Sequence, residues 1–563
     1  MAAVKGGGFL IEETAPRDVF TAEDLTEEHQ AVGRAVDAFW AHEVAPNLEA
    51  IQHQEPGVAL RVLRKAAELG LTAITVPEEY GGMDLDLASA MVAAEHLARD
   101  GSYAGWHGAH TAIGTLPLVY FGTPEQKRRY LPKLARVEML AAYALTEPQA
   151  GSDALAARTQ AVLNTEGTHY VLNGQKMWIT NGGYADLFTV FAKVDGEHFT
   201  AFLVERGFGV KSGAEEKKMG IKGSSTTALY LDNVPVPVEN VLGEVGRGHV
   251  IAFNILNLGR LKLGASGAGA AKNALAVSLK YAKERKAFGS AIGEFGAIRH
   301  KLAEMAIRIF ATESMVWRTV GAIPPGQSLK SIEEFAVECS AVKVYASEML
   351  DYVVDEGVQI HGGYGFHQDY VVERAYRDAR INRIFEGTNE INRLLITGML
   401  LKRAARGQLG LAAAARQVLD ETMGGSRVGG EADEETRLVR HARKIALLAM
   451  GLAHQRFGAA LDKEQEVAMA LADLVMELYA MESSLLRARK TGKGCDLCAV
   501  FLRDAMARVD VTARGVLGAC SEGDALRANL LMLRRYAKYE PVDAVGMRRK
   551  IAERLLGAER YVV

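Results

Sequence analysis

Apolar positions in the first part of the chain recur every three to four residues, the spacing of an amphipathic helix, and residues from about 26 to 137 read as helical. The segment from Gly57 to Leu71 carries Leu60, Val62, Leu63, Ala66, Ala67 and Gly70 on one face with charges opposite. Pro77 and the Gly81-Gly82 pair break the pattern, which resumes from Asp84 to Arg99. Thr123-Pro124 supplies an N-cap followed by proline at the first helical position. From about 140 to 240 the period falls to two. The run HYVLNGQKMWIT places Asn173-Gly174 between two β-prone stretches, which predicts a hairpin, and DLFTVFAKV, FTAFLVE and TTALYLDNVPV predict further strands ending near Pro235 and Pro237. From about 248 to 405 long helices return, including the run from Ser331 to Val358. Residues 407–427 are rich in Ala and Gly and read as a connector, with Gly424-Gly425 and Gly429-Gly430 at its far end. After Glu431 the chain is helical almost to its end, without a solenoid repeat.

The pattern predicts a mainly α protein with a β insert: residues 1–139 helical, 140–245 β, 246–406 a helical bundle, 407–432 a linker and 433–563 an additional helical domain. Strands and helices do not alternate, so a Rossmann site is not expected. Gly264, Gly267 and Gly269 lie in an Ala-rich helical context and read as close helix-packing positions.

Composition narrows the function. The 563 residues are 49% hydrophobic and 24% charged, which excludes a disordered or fibrous chain. Lys and Arg number 66 against 69 Asp and Glu, so no basic excess points to nucleic acid as a partner. The start lacks the apolar region of a signal peptide, and no uncharged run reaches the roughly 18 residues of a membrane span. The expected location is cytoplasmic. Four cysteines fit a reducing compartment. Cys495 and Cys498 form a C-x-x-C with no further ligands at zinc spacing, which reads as two thiols near a helix start, and no metal is expected.

Two regions carry candidate chemistry. Tyr143 to Asp153 (YALTEPQAGSD) and Met177 to Gly183 (MWITNGG) bring hydroxyls, glycine amides and a tryptophan to the start of the β insert, a set suited to a flat, polar-edged heteroaromatic ligand. Taken singly, each is a polar surface loop. The second region runs through QIHGGYGF, RAYRDA and IFEGTNEI. There Glu386 lies between an aromatic residue and a glycine on the approach to a helix with Ile391, Leu394, Leu395, Gly398 and Met399 on one face. Burial would raise its pKa and let it take a weakly acidic C–H proton, and amides at the helix start could hold phosphate. A helix-capping acid is the plain alternative.

Together with PEEYGG, FGTPEQKRRYLPKLA and RKAFG, these motifs resemble the acyl-CoA dehydrogenase family over roughly the first 400 residues, in order and spacing. The extra C-terminal helices resemble its very-long-chain branch. The resemblance implies an N-terminal helical domain, a middle β-barrel, a C-terminal four-helix domain and FAD. It implies that Tyr143, Leu145, Thr146, Gly151 and Ser152 line the flavin and that Trp178, Ile179 and Thr180 cover its edges. Arg285, Phe288, Gln359, Ile360, His361, Gly362 and Gly363 match contacts to the FAD of a partner subunit, and Thr388 and Glu390 match its pyrophosphate and adenosine end. Ser152, Asn257, Arg260, Phe385, Glu386 and Gly387 match acyl-CoA contacts. Glu386 matches the base that removes the α-proton while the β-hydride passes to the flavin, giving a trans-2-enoyl-CoA; its backbone N–H and a flavin ribityl hydroxyl polarise the thioester carbonyl. A minority of the family places the base beside the earlier arginine, but Gly259 stands there.

Electrons are then expected to pass to electron-transfer flavoprotein. The intact base weighs against a purely assembly-factor role and the motifs weigh against an oxidase. The branch favours long chains and a homodimer. It also implies peripheral membrane contact by the C-terminal bundle. Arg487 to Val509 is basic and partly amphipathic, which permits such attachment, although a solvated helix face is the commoner explanation of a charge run.

Overall fold

The computed structural model describes residues 5–324, 329–423 and 433–563. The N-terminal part is helical. Val58–Glu68 buries Val58, Ala59, Val62, Leu63 and Ala66, so the expected face holds at its centre, while Leu60, Ala67 and Gly70 lie at its half-buried margin. Leu87–Leu97 is capped by Asp86, whose carboxylate accepts the Ser89 N–H. Pro124–Ala135 begins with a capping box in which Thr123 and Gln126 satisfy each other's backbone N–H. Gly101–Gly108 follows Asp100, which accepts the N–H groups of Ser102 and Tyr103.

The middle part is one sheet in the order β6-β7-β3-β2-β4-β5-β8, with β1 (Ala141–Ala144) parallel to β4 (Leu187–Val194). β2 is Gln160–Leu163, β3 His169–Thr180, β5 His198–Glu205, β6 Lys211–Glu215, β7 Thr226–Pro237 and β8 Val241–Leu242. Among the described residues no ladder joins β6 to β8, so the expected barrel is an open sheet. The expected hairpin at Asn173-Gly174 is also corrected. Both residues lie within β3, which continues along β7 through a register shift between Leu172 and Gly174. Glycine is required because a Cβ there would stand 2.8 Å from Thr159 Cα.

The helix Gly248–Glu284 packs along Ala336–His361, with Gly296–Ala322 and Asn389–Ala405 beside them. Gly264, Gly267 and Gly269 are packing positions as expected. A Cβ on Gly264 would strike Val342, and one on Gly269 would strike the Glu95 carbonyl.

Five further helices follow: Glu434–Phe457, Gln465–Thr491, Cys495–Cys520, Gly523–Tyr536 and Ala544–Ala558. They share one continuous apolar core with the body, through residues such as Phe310, Leu471 and Val500. The expected connector is partly helical. Leu411–Met423 packs on Glu434–Phe457, and Lys444 pairs with Glu421 at 3.0 Å, while Gly424-Gly425 and Gly429-Gly430 lie outside the described residues. A non-repetitive arm before Glu27 runs between body and addition. Arg443 Nε donates to the Phe9 carbonyl (3.1 Å), the Phe9 ring lies 4.7 Å from that of Tyr479, and Glu23 and Asp24 pair with Arg487 and Lys490 at 2.7 and 2.6 Å.

The membrane expectation for Arg487 to Val509 loses its basis. Arg487 bridges Glu23 and Glu313, Arg489 pairs with Asp433, Arg503 with Glu435 and Arg508 with Glu477, while Leu497, Val500 and Phe501 are buried. Among the described residues no helix is long and apolar enough to cross a membrane. Cys495 is exposed and Cys498 buried at the start of Cys495–Cys520, and no group of three metal-binding side chains occurs among the described residues.

Candidate active site

Glu386 sits in the turn between the short 3-10 helix Arg380–Arg383 and the helix Asn389–Ala405, where it and Gly387 both take positive φ (58° and 79°). For a glutamate this is a strained conformation, maintained only because its surroundings over-determine it. The restraints are specific. Arg260 Nε donates to the Glu386 carbonyl (3.1 Å), and Arg260 Nη1 donates to Asn257 Oδ1 (2.9 Å). Lys343 Nζ donates to the Gly387 carbonyl (2.7 Å) and Asn389 Oδ1 (2.8 Å). Asn392 Nδ2 donates to the Gly387 and Thr388 carbonyls (2.8 and 3.1 Å). The Thr388 hydroxyl caps the following helix by accepting the Ile391 N–H.

The carboxyl of Glu386 points into a cavity of about 190 Å³. Its Oε2 is buried without a hydrogen-bond partner. Burial raises its pKa to about 7, against the pull of Arg260 and Lys343. Burial in turn lowers Lys343 to about 7. The hydroxyl of Tyr143 is also buried and unpartnered, and its pKa is raised by burial and then by the nearby Glu386 charge. Small residues form much of the wall: Gly101, Ala104, Gly105 and Gly108 from one helix, Gly259 and Gly267 from another. Thr180 and Phe385 close it near Glu386. Asn257 and Arg260 do not line it. Both are buried behind the turn, which they brace.

Four family profiles match the chain: the acyl-CoA dehydrogenase N-terminal domain at residues 26–138, the middle domain at 142–234, and two C-terminal domains at 246–401 and 441–535. A probable acyl-CoA dehydrogenase of Bacillus subtilis is 48% identical across 99% of this chain and 98% of its own length.

This chain belongs to the acyl-CoA dehydrogenase family.

The mitochondrial very long-chain specific acyl-CoA dehydrogenase of Rattus norvegicus is 40% identical over 76% of this chain and 70% of its own. A crystal structure of an acyl-CoA dehydrogenase complexed with FAD from Bacillus anthracis is 48% identical, covers both chains fully and superposes with a TM-score of 0.97.

The family's motif residues fall into two groups. Thr180, Phe385 and Glu386 line the cavity, Tyr143 lies near enough to feel the Glu386 charge, and Gly387, Asn257 and Arg260 stand behind the turn. Leu145, Thr146, Gly151, Ser152, Trp178 and Ile179 lie close in the chain to Tyr143 or Thr180. Met177 N–H donates to the Thr146 carbonyl (2.9 Å), and a bulge between Lys176 and Ile179 turns the Trp178 ring out, 56% exposed at φ 60°, above a buried Ile179. Arg285, Phe288, Gln359, Ile360, His361, Gly362 and Gly363 gather elsewhere. Arg285 and Ile360 to Gly363 line a separate cavity, the Arg285 guanidinium stands 5.6 Å from the Tyr364 ring centre, and Phe288 is 97% exposed. Arg285 follows the helix end 26 residues after Gly259, about 39 Å along the helix axis. Glu390 is exposed on the first turn after the Thr388 cap.

Helical periodicity left out Lys343 and Asn392. Spacing alone does not mark a charged or polar helical position as one turned inward. The face expected for Asn389–Ala405 is likewise corrected: Asn389, Asn392, Ile396, Thr397 and Leu400 are buried, while Ile391, Leu394, Leu395 and Met399 are half-buried and Gly398 is exposed. The two asparagines turn inward because the carbonyls at 386–388 and the Lys343 ammonium need partners there.

Proposed function

We propose that this chain is an FAD-dependent dehydrogenase that converts long-chain acyl-CoA to trans-2-enoyl-CoA in fatty-acid β-oxidation. The observation that carries the reading is the Glu386 carboxylate, held in a strained turn with an unpartnered oxygen facing a small-residue cavity. A carboxylate raised to about 7 is a base matched to an α-proton at physiological pH. The residues suit a flavin. Trp178 offers an exposed ring face, Gly151 has open space where a Cβ would stand, and the Tyr143 hydroxyl lacks a partner. Tyr143, Leu145, Thr146, Gly151, Ser152, Trp178, Ile179 and Thr180 would hold it. FAD, when bound, supplies the hydride acceptor.

The chain's own part is positional. Arg260, Lys343 and Asn392 fix the 386–388 backbone, so Glu386 meets the α-carbon without reorganising. Its N–H meets the thioester oxygen, while Phe385 and Gly387 flank the reacting carbons. Gly259 leaves the carboxylate its space: a Cβ there would lie 2.9 Å from Glu386 Oε2. The small-residue walls and the likeness to a very long-chain specific enzyme support long acyl chains. The distance between the two motif groups supports a homodimer in which Arg285, Phe288, Gln359 to Gly363, and their neighbours reach the flavin of a second copy. Thr388 and Glu390 serve its adenosine end. Electron-transfer flavoprotein takes the electrons.

The test is anaerobic addition of acyl-CoAs to the flavin-loaded protein. Long-chain esters should bleach the flavin, and Glu386→Gln should stay yellow and unbleached. Substantial turnover by the variant would overturn the assignment. Peroxide formed in air at the rate of acceptor-linked turnover would indicate an oxidase instead.

A further inference from the structure

The cavity at Glu386 adjoins a second, of about 40 Å³, lined by Leu71 to Val76, Leu87, Met91, Leu116 and their neighbours. The two share only Ala112 and Lys262 among their lining residues. Ala112 contributes one methyl group, so the long Lys262 side chain is the bulk between them. Lys262 lies three residues beyond Gly259 on Gly248–Glu284, one turn from the helix position that faces Glu386. Its ammonium donates to Thr111 Oγ1 at 2.9 Å, and Thr111 belongs to the second cavity alone. The stem therefore spans the boundary with its tip tied to the far wall.

Lys262 is unusual for a half-buried lysine. Among the described residues no carboxylate lies within ion-pair distance of it. Its titratable neighbours His107 and His110 offer no compensation, since burial depresses their pKa values to about 3 and 4 and leaves them neutral. Burial lowers Lys262 itself to about 8. An ammonium held at that cost contributes no ion pair to the fold. Its place between two apolar spaces suggests a steric use for the stem.

We propose that Lys262 is the partition that limits the length of the acyl chain, and that removing its stem joins the two cavities into one longer channel. The inference rests on the first cavity being the acyl site. The second space is lined mostly by apolar side chains such as Ile74, Leu87 and Met91, with Thr72, Thr75, His107 and Thr111 as polar members, and its apolar part suits additional methylenes.

Lys262→Ala removes the stem, whereas Lys262→Met keeps its length and removes the charge. Both should retain bound FAD, because no ion pair is broken; Lys262→Ser is a second shortened variant should the alanine fail to fold. With a series of saturated acyl-CoAs of increasing length, the alanine variant should gain on chains beyond the wild-type limit by about fourfold in kcat/KM per additional buried methylene. The methionine variant should keep the wild-type profile. Calorimetric affinities for the enoyl-CoA products of the same lengths should follow the same order without turnover. An unchanged length profile in the shortened variants, with normal turnover of ordinary substrates, overturns the partition alone. A methionine variant that shifts as the alanine does also overturns it. Failure of every acyl-CoA to bleach the wild-type flavin overturns the parent reading.

Discussion

Gly259 and Glu386 are in contact across the cavity wall: a Cβ on residue 259 would come within 2.9 Å of Glu386 Oε2 and 3.0 Å of its Cδ. Gly259→Ala should therefore displace the carboxylate while leaving the fold and FAD content intact. A shift approaching 1 Å in a reacting group costs on the order of 100-fold, so kcat should fall by about that factor. Stopped-flow flavin reduction would check it, and turnover within twofold of wild type would contradict the contact's role.

Glu386 must be ionised to accept a proton, and burial places its pKa at about 7. The kcat/KM profile should rise with pH and level off above about 7. Stability runs the other way. The folded carboxyl holds its proton above the unfolded value, so between about 4.5 and 7 the native state binds more protons and loses stability as pH rises. Glu386→Gln should relieve this and melt higher than wild type above pH 7, by roughly 1–3 kcal/mol. Calorimetry at two pH values tests it.

Lys343 touches the backbone of the turn and places positive charge near Glu386, alongside Arg260 from the neighbouring helix and opposite the Tyr143 hydroxyl. Lys343→Met should move the rising limb of the pH profile to higher pH, because the charge that favours the ionised carboxylate is gone. A variant with a lower kcat but an unmoved limb would show that Lys343 acts only as a brace.

Arg487 is 3% exposed and bridges Glu313 and Glu23, joining the helical addition to both the body and the N-terminal arm. Arg487→Ala leaves those carboxylates without their shared partner and should cost about 3–5 kcal/mol, read as a fall in unfolding midpoint in urea. Flavin reduction at low temperature should persist, since the site is remote.

The same pairing makes the stretch Arg487 to Val509 a poor membrane ligand. Flotation with anionic vesicles should leave the protein at the bottom of the gradient at physiological salt. Salt-sensitive flotation abolished by substitutions within that stretch would restore the membrane reading.

Features governed by local backbone physics were legible in the sequence. The Thr123 cap, the helix at 58–68, the packing glycines at 264–269 and the β insert all emerged from spacing and residue type. Glu386 stood out because a carboxylate beside apolar residues is expensive. What escaped depends on partners distant in the chain. Asn173-Gly174 serves turns and bulges alike, and only the approach of Thr159 decides between them. Lys343, Lys262 and Arg487 look like solvent-facing charges until the helices that bury them are in place. Sheet closure depends on strand register, which alternation does not encode.

The arm before Glu27 carries a consequence for biosynthesis. Phe9 and Leu10 are buried, yet Arg443 and Tyr479, which cover this segment, are translated more than 400 residues later. On that side the segment must therefore wait, apolar and uncovered, until residues more than 400 positions further along have been made. A chain halted after residue 406 would leave Phe9 without its cover from Arg443 and Tyr479, so the arm would lock only once those helices had folded over it.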